Sequence, residues 1–194
     1  MGARNRFAER DIALIALFAA LVAALGLVPS LMLASGVPIT AQSLGIMLCG
    51  TVLGSVRGFA AAGLFVLLVA MGLPLLAGGR GGLGLFVSPS AGFLIGFPVA
   101  AFSIGWIVER ARSVNAFWAA AGGAVAGGVV VLYAFGIAGM ALSLEKSLGE
   151  ASLLALPFIP GDILKAILAG FITMSLARMR PDSVLSRRNR HFKR

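Results

Sequence analysis

Two ionisable residues stand three positions apart within an apolar stretch near the end of the sequence. Asp162 and Lys165 follow Pro160-Gly161, and a proline suits the first turn of a helix because its missing N–H is not needed there. An i, i+3 spacing puts the two side chains on one helical face. Lysine suits a carboxylate and aspartate suits N–H donors, so the pair suits a ligand that carries both groups.

The composition places this pair inside a membrane. The chain has 194 residues, 59% of them hydrophobic and 12% charged, with a mean hydropathy of +1.01. An ionisable residue in lipid costs about 2.5 kcal/mol or more and is a functional-site hypothesis by default. The alternative is an ion pair that neutralises itself and holds two helices together.

The apolar residues form continuous runs, which indicate membrane helices because a barrel would show alternation. We predict an all-α integral membrane protein, a single domain over residues 1–194 with six transmembrane helices and basic tails. The predicted spans are approximately 12–28, 39–56, 59–76, 91–108, 117–142 and 157–177.

The basic residues predict the orientation. The two termini, the 2–3 connection and the 4–5 connection hold 13 of the 16 lysines and arginines, which puts both termini in the cytoplasm. The basic tails then indicate contacts with anionic membrane lipids and no nucleic-acid partner. Asp162 lies 16 residues before Arg178, about 24 Å along a helix. The pair therefore lies near the outer end, in a pocket that faces outward.

A glycine-rich connection lies on the same predicted side. Residues 79–84 fit the G-x-G-x-x-G pattern literally. A dinucleotide site needs a strand before this pattern, and here a membrane helix precedes it, so that site is excluded. A P-loop is excluded because no Lys-Ser/Thr follows. Glycine lets the backbone approach a ligand closely. We predict a flexible or re-entrant lid; the alternative is a plain linker between helices. The residues assigned to ligand binding here are Gly78, Gly79, Arg80, Gly81 and Gly82.

Two further polar residues are candidates for the same pocket. Gln42 stands at the outer start of the second run, and an amide in lipid needs a partner, so we expect it to face the interior. Tyr133, the only tyrosine, is either an interfacial anchor or a pocket hydroxyl. Arg80 contacts either a ligand carboxylate or only solvent, and we expect the contact with the ligand.

Enzymatic function has no visible apparatus in the sequence. There is no His–carboxylate or cysteine cluster for a metal, and the only histidine, His191, lies in the basic tail. No Ser/His/Asp set lies in the apolar runs, and no Walker motif is present. We predict a protein that is not an enzyme and holds no cofactor. A small-residue face on the first helix, which lets another helix approach closely, is formed by Ala16, Ala20 and Ala24.

The sequence resembles the BioY family, the biotin-binding S components of energy-coupling factor (ECF) transporters. The resemblance covers nearly the whole chain and is carried by residues 37–44, 72–74, 77–84, 89–97 and 158–165, which read VPITAQSL, GLP, AGGRGGLG, PSAGFLIGF and FIPGDILK. Small departures occur in residues 89–93, which read PSAGF where the family pattern leads us to expect PTGGY.

The resemblance implies high-affinity biotin uptake across the bacterial cytoplasmic (inner) membrane. The implied partners are a transmembrane coupling protein, docked on the alanine face, and a pair of cytoplasmic ATPases that alone use ATP. The family also includes members thought to transport alone, and a homo-oligomer stays open. The alternative function is a small structural or lipid-binding membrane protein; a membrane enzyme ranks third.

The chemistry of biotin assigns roles to the polar residues. An ionised aspartate only accepts hydrogen bonds, so Asp162 is expected to take a ureido N–H. Lysine only donates, so Lys165 takes the ureido oxygen or the carboxylate. Gln42 could bind either kind of group.

Overall fold

The computed structural model describes residues 2–187, with side chains from residue 9 onward. The protein is mostly helical. Its α-helices are α1 Gly2–Leu25, α2 Gln42–Leu48, α3 Ser55–Ala70, α4 Ala91–Arg110, α5 Ala116–Val125, α6 Leu132–Ser143, α7 Leu148–Ala155 and α8 Ile159–Met179. π-Helical turns at Cys49–Leu53 and Ala126–Val131 extend α2 and join α5 to α6.

Among the residues that the structure describes, three helical stretches are long and apolar enough to cross a membrane. They are Ala91–Arg110, Ala116–Ser143 and Leu148–Met179, while Gln42–Leu53 and Ser55–Ala70 are shorter apolar helices. The prediction of a helical membrane protein is therefore confirmed, whereas the count of six spans stays a prediction.

Two local features differ from the sequence prediction. The uncharged connection after α1 contains a small antiparallel hairpin, β1 Leu31–Met32 with β2 Pro38–Ile39, so the described residues are not purely helical. An additional helix, α7, begins at Leu148 and precedes α8, which starts at Ile159, close to the predicted start at residue 157. Ser147 and Glu150 form a reciprocal capping box there, which satisfies free N–H groups and starts α7 earlier.

Small residues allow the helices to pack closely. A Cβ atom at Gly50 would meet the carbonyl oxygen of Ala101 on α4 at 2.6 Å, and one at Gly92 on α4 would meet the carbonyl oxygen of Phe135 on α6 at 2.1 Å. Backbones therefore touch where a side chain would hold them apart. The α4 helix packs against both α3 and α6, and α8 packs against α5.

A buried polar group lies where α2, α4 and the last turns of the described chain meet. We call it the terminal cluster; it consists of Thr51, Ser55, Glu109, Thr173 and Ser186. The Glu109 carboxylate accepts from the Ser55 backbone N–H at 2.8 Å and from its hydroxyl at 2.9 Å. The Ser186 hydroxyl donates to the Thr51 carbonyl, and the Thr173 hydroxyl donates to that of Thr51 at 2.9 Å. A carboxylate at the N-terminus of α3 complements the helix dipole.

The next residue, Arg187, closes the same region of the molecule. Its guanidinium donates to three carbonyl groups just after α4, those of Ala111, Arg112 and Val114. Burial, and then the charge of Arg112, lower the pKa of Arg187 from its ordinary value. These bonds fasten the end of the described chain to the end of α4, because cations and donors there satisfy the final helix carbonyls.

Candidate functional site

A cavity lies between the starts of α2, α4 and α8. It is open at one side and contains about 570 Å³ of empty space when the open mouth is counted. One wall is polar and the others are mainly aromatic and aliphatic. The lining residues are Val37, Pro38, Thr40, Gln42, Ser43, Leu76, Arg80, Ser90, Phe93, Leu94, Phe97, Leu132, Phe158, Asp162 and Lys165.

The polar wall is a hydrogen-bonded group that we call the cavity cluster: Ser43, Tyr133, Asp162 and Lys165. Asp162 Oδ1 accepts from Lys165 Nζ at 2.8 Å and from the Ser43 hydroxyl at 3.0 Å, and Oδ2 accepts from the Tyr133 hydroxyl at 2.8 Å. Lys165 Nζ also donates to Ser43 Oγ at 2.9 Å. Three helices therefore converge on one carboxylate.

The start of α8 positions the pair as the sequence predicts. The helix begins at Ile159 with Pro160 in its first turn, and Asp162 also lies in that turn, where the positive end of the helix dipole favours a carboxylate. The side chains of Asp162 and Lys165 are 8% and 16% exposed. Both are thus nearly buried, and such charges are stable only when paired and hydrogen-bonded.

The cavity cluster retains unused hydrogen-bonding capacity among the described residues. A carboxylate has about four acceptor positions and an ammonium has three N–H donors. Asp162 uses three positions and Lys165 uses two donors. One acceptor position on Oδ2 and one N–H of Lys165 thus remain, and together they match a group with an N–H next to a carbonyl.

Gln42 faces the interior, as predicted, and its amide bonds to backbone. Its Nε2 donates to the carbonyls of Val22 at 3.2 Å and Leu75 at 3.0 Å, and its Oε1 accepts from the Ala77 N–H at 3.1 Å. The side chain is 1% exposed. Gln42 therefore ties α1 to the glycine-rich connection and holds one wall of the cavity in place.

The glycine-rich connection is a defined turn next to the cavity. Leu76 and Arg80 pair across it as an isolated antiparallel bridge, and Gly78 and Gly79 take the positive φ values of 79° and 69° that the turn requires. Leu76 and Arg80 line the cavity, whereas the assigned glycines are not among its lining residues. In the structure the connection thus presents its two bridge residues to the cavity.

A Cβ atom at Gly81 would meet the carbonyl oxygen of Leu73 at 2.2 Å. This glycine is therefore needed for close packing against the end of α3. Gly82, the other glycine assigned to this connection, donates its N–H to the carbonyl of Val69 at 2.8 Å.

Arg80 and Tyr133 occupy different positions relative to the cavity. Arg80 lines it, with Nε donating to the Ala77 carbonyl at 3.2 Å. Tyr133 is 6% exposed and is not among the lining residues; it acts on the site through its bond to Asp162. Its burial does not agree with an interfacial anchor, and the interpretation as a pocket hydroxyl stays a prediction.

The apolar walls contain residues that the site prediction omitted. Phe93 packs edge-on against Tyr133, with ring centroids 6.1 Å apart, and lies 5.9 Å from the ring of Phe158. Along α4, the lining residues Ser90, Phe93, Leu94 and Phe97 follow the i, i+3, i+4, i+7 pattern of one helical face. That helical pattern is the sequence signal that could have identified these wall residues. No local pattern in the sequence points to Ser43, because its partner Asp162 lies 119 residues away.

The alanine face of α1 is on the surface. Ala16, Ala20 and Ala24 are exposed, whereas Ala19 is 3% exposed and Ala23 is half-buried. The two alanine rows lie side by side around the helix, since successive residues point about 100° apart; one row packs inside the protein and the other is open to a neighbour.

Comparison with known proteins places the chain in a family. A family model described as the BioY family matches residues 3–182. A biotin transporter BioY of Rhodobacter capsulatus is 52% identical, over 92% of this chain and 99% of that protein. One of Rhizobium etli is 47% identical, over 84% and 90%.

The fold is also similar to a solved structure. That structure is described as the S-component for biotin from an ECF-type ABC transporter, solved at 2.1 Å. The match has a TM-score of 0.84 and 28% identity, and covers 92% of this chain and 95% of the other. With a family model that matches most of its length and relatives of this similarity, the chain belongs to the BioY family.

Proposed function

We propose that this protein is the substrate-specific subunit of a biotin uptake system in the bacterial cytoplasmic membrane, and that it is a transport protein and not an enzyme. The names of its relatives and the S-component fold support this proposal. Its ligand is biotin, which binds in the cavity between α2, α4 and α8.

The observation that carries the proposal is the unused capacity of the cavity cluster. One free acceptor position on Asp162 and one free donor on Lys165 stand side by side at the cavity wall. The ureido ring of biotin offers an N–H next to a carbonyl oxygen, so it completes both groups at once. The thioether ring and the alkyl chain fit the apolar walls formed by Phe93, Leu94 and Phe158.

A titration of the purified protein tests this function. Biotin and desthiobiotin share the ureido ring, whereas lipoic acid has a sulphur ring and a valerate chain but no ureido group. We expect biotin and desthiobiotin to bind and to raise the melting temperature, since a ligand specific for the folded state stabilises it by mass action. Lipoic acid serves as the matched control. No shift with biotin would favour the structural or lipid-binding alternative.

For the membrane orientation, we propose six spans with both termini in the cytoplasm and the cavity facing outward. The distribution of basic residues supports this orientation. The test introduces a single cysteine into a Cys49→Ala background, at the exposed positions Asp182 or Lys146. Ser186, which lies close to Asp182 in the sequence, is not suitable for labelling because it is fully buried. We expect an impermeant maleimide to label intact cells at position 146 only; labelling at position 182 would contradict the orientation.

The exposed alanine face supports a further proposal, that Ala16, Ala20 and Ala24 dock a transmembrane coupling protein linked to two ATPases. Ala20→Trp places a bulky side chain on this face. We expect it to abolish copurification with the coupling protein and leave biotin affinity unchanged. Ala19→Trp is the matched control on the buried row, and it should destabilise the protein instead. Copurification that survives Ala20→Trp would exclude this docking face.

A further inference from the structure

Ser90 is a buried hydroxyl without a hydrogen-bond partner. The residue is 6% exposed, and within residues 2–187 no donor or acceptor is paired with its Oγ. Its backbone is already helical, with φ −81° and ψ −9°, so its side chain does not cap α4; the extended Ser88 before it accepts from the Ser90 N–H instead. Buried polar groups are nearly always paired, so this one needs an explanation.

Neighbouring serines show that the local structure can satisfy hydroxyl groups. Ser88 donates to the Leu85 carbonyl at 2.7 Å and accepts from the Ser90 N–H at 3.3 Å. Further along α4, Ser103 donates to the Val99 carbonyl at 2.9 Å. Ser90 is distinguished from both by its place on the cavity wall.

The position of Ser90 suits an anion. It lies one turn before Phe93 on the cavity face of α4, at the N-terminus of a 20-residue helix, and the helix dipole favours negative charge at that end. Arg80 lines the same cavity and adds a positive charge. A hydroxyl at the start of a helix and a guanidinium thus line the same cavity.

The ligand chemistry follows from this arrangement and rests on the proposed function. If the ureido ring completes Asp162 and Lys165, the ligand's remaining polar group is its carboxylate. The apolar face of α4 leads from Phe97 through Phe93 to Ser90, and it suits an alkyl chain. We propose that the Ser90 hydroxyl donates to the carboxylate of biotin, with Arg80 as the nearby positive charge. The hydroxyl is occluded without ligand and reaches the carboxylate by rotation about the Cα–Cβ bond, between staggered rotamers.

The test compares two ligands on matched variants. Biotin is titrated beside biotinol, in which a primary alcohol replaces the carboxylate, using the purified wild type and Ser90→Ala, Ser90→Gly and Ser103→Ala. A hydrogen bond to a charged group corresponds to a loss of about 10- to 100-fold. We expect that loss for biotin with both Ser90 variants and an unchanged affinity for biotinol. Ser103→Ala should bind both ligands like the wild type.

The outcomes separate this inference from the proposed function. Wild-type affinity for biotin in the folded Ser90 variants, or equal losses for biotin and biotinol, would overturn the role of Ser90 and leave the biotin site standing. A wild-type protein that binds neither ligand would overturn both. The melting temperature without ligand reports folding, and glycine is tolerated at an N-cap, so Ser90→Gly provides a second variant if Ser90→Ala fails to fold.

Discussion

The cavity cluster and the terminal cluster both hold a carboxylate among hydroxyl groups, Asp162 buried and Glu109 half-buried, yet their bonds differ. They lie at opposite ends of the α2 segment, Ser43 at its start and Thr51 in its final turn. In the terminal cluster, two of the four bonds reach backbone atoms: the Glu109 carboxylate accepts from the Ser55 N–H, and the Ser186 hydroxyl donates to the Thr51 carbonyl. In the cavity cluster, the four bonds all join side chain to side chain.

This difference teaches how to distinguish structural from ligand-binding charges in an apolar protein. Bonds to backbone atoms satisfy groups left over at helix ends and in irregular turns, so they stabilise the fold. Bonds among side chains at a cavity wall keep charged groups neutralised while leaving a donor and an acceptor for a ligand. We therefore expect variants of the two clusters to have opposite effects on affinity and stability.

The largest expected effect is on the cavity cluster. Asp162→Asn and Lys165→Ala should each weaken biotin binding about 100-fold, because each removes a charged hydrogen-bond partner. Calorimetric titration measures the loss. The double variant Asp162→Leu/Lys165→Leu should regain stability, because no unpaired charge stays buried, but not binding. Biotin binding by the double variant would reduce the pair to a structural ion pair.

The terminal cluster should respond in the opposite way. Glu109→Ala removes the carboxylate at the start of α3, and we expect the free energy of unfolding to fall by about 1–2 kcal/mol. Biotin affinity should stay within about twofold, since a structural bond elsewhere contributes nothing to ligand contacts. Thermal melting and titration of the same sample separate the two quantities. A large loss of affinity at unchanged stability would erase the distinction between the clusters.

Gln42 shares one feature with each cluster: it lines the cavity, like the cavity cluster, and its amide bonds to backbone atoms, as in the terminal cluster. A variant of Gln42 therefore tests both expectations at once. Gln42→Leu leaves the carbonyls of Val22 and Leu75 and the N–H of Ala77 without their partner. We expect both a lower melting temperature and a roughly 10-fold loss of biotin affinity, because the wall formed by Leu76 and Arg80 loses its support. Faster proteolysis at residues 76–84 would report the released connection. Unchanged cleavage with a 100-fold loss of affinity would make Gln42 a direct ligand contact.

The smallest effects are expected in the glycine-rich connection. Gly79→Ala keeps open space around the new Cβ but strains a residue at φ 69°, at about 1 kcal/mol. Gly81→Ala drives its Cβ against the Leu73 carbonyl and should destabilise more. Melting curves of the two variants provide the comparison, and equal stabilities would show that the packing of Gly81 is not limiting.

Local patterns in the sequence predicted much of the site. The i, i+3 spacing of Asp162 and Lys165 and the proline before them placed an ion pair in the first turn of a helix. The capping box of Ser147 and Glu150 is also a local sequence pattern. The prolines at positions 157 and 160, however, suggested that the last helical stretch starts only at residue 157. In the protein, Leu156–Phe158 forms a 3-10 turn between two helices, so the chain stays helical through the first of those prolines.

The sequence by itself determined the apolar composition, the helical character and the residues that could carry charge, because hydropathy and helical spacing depend only on neighbours along the chain. Tertiary structure alone decided what each polar group meets. It brought Ser43 to Asp162 across 119 positions and turned the amide of Gln42 onto backbone 20 and 33 positions away. It also left the Ser90 hydroxyl beside the cavity with no hydrogen-bond partner among the described residues. This is because helix packing fixes which face of each helix points inward. Close contacts between backbones at glycines set that packing, and these contacts join residues that are far apart in sequence.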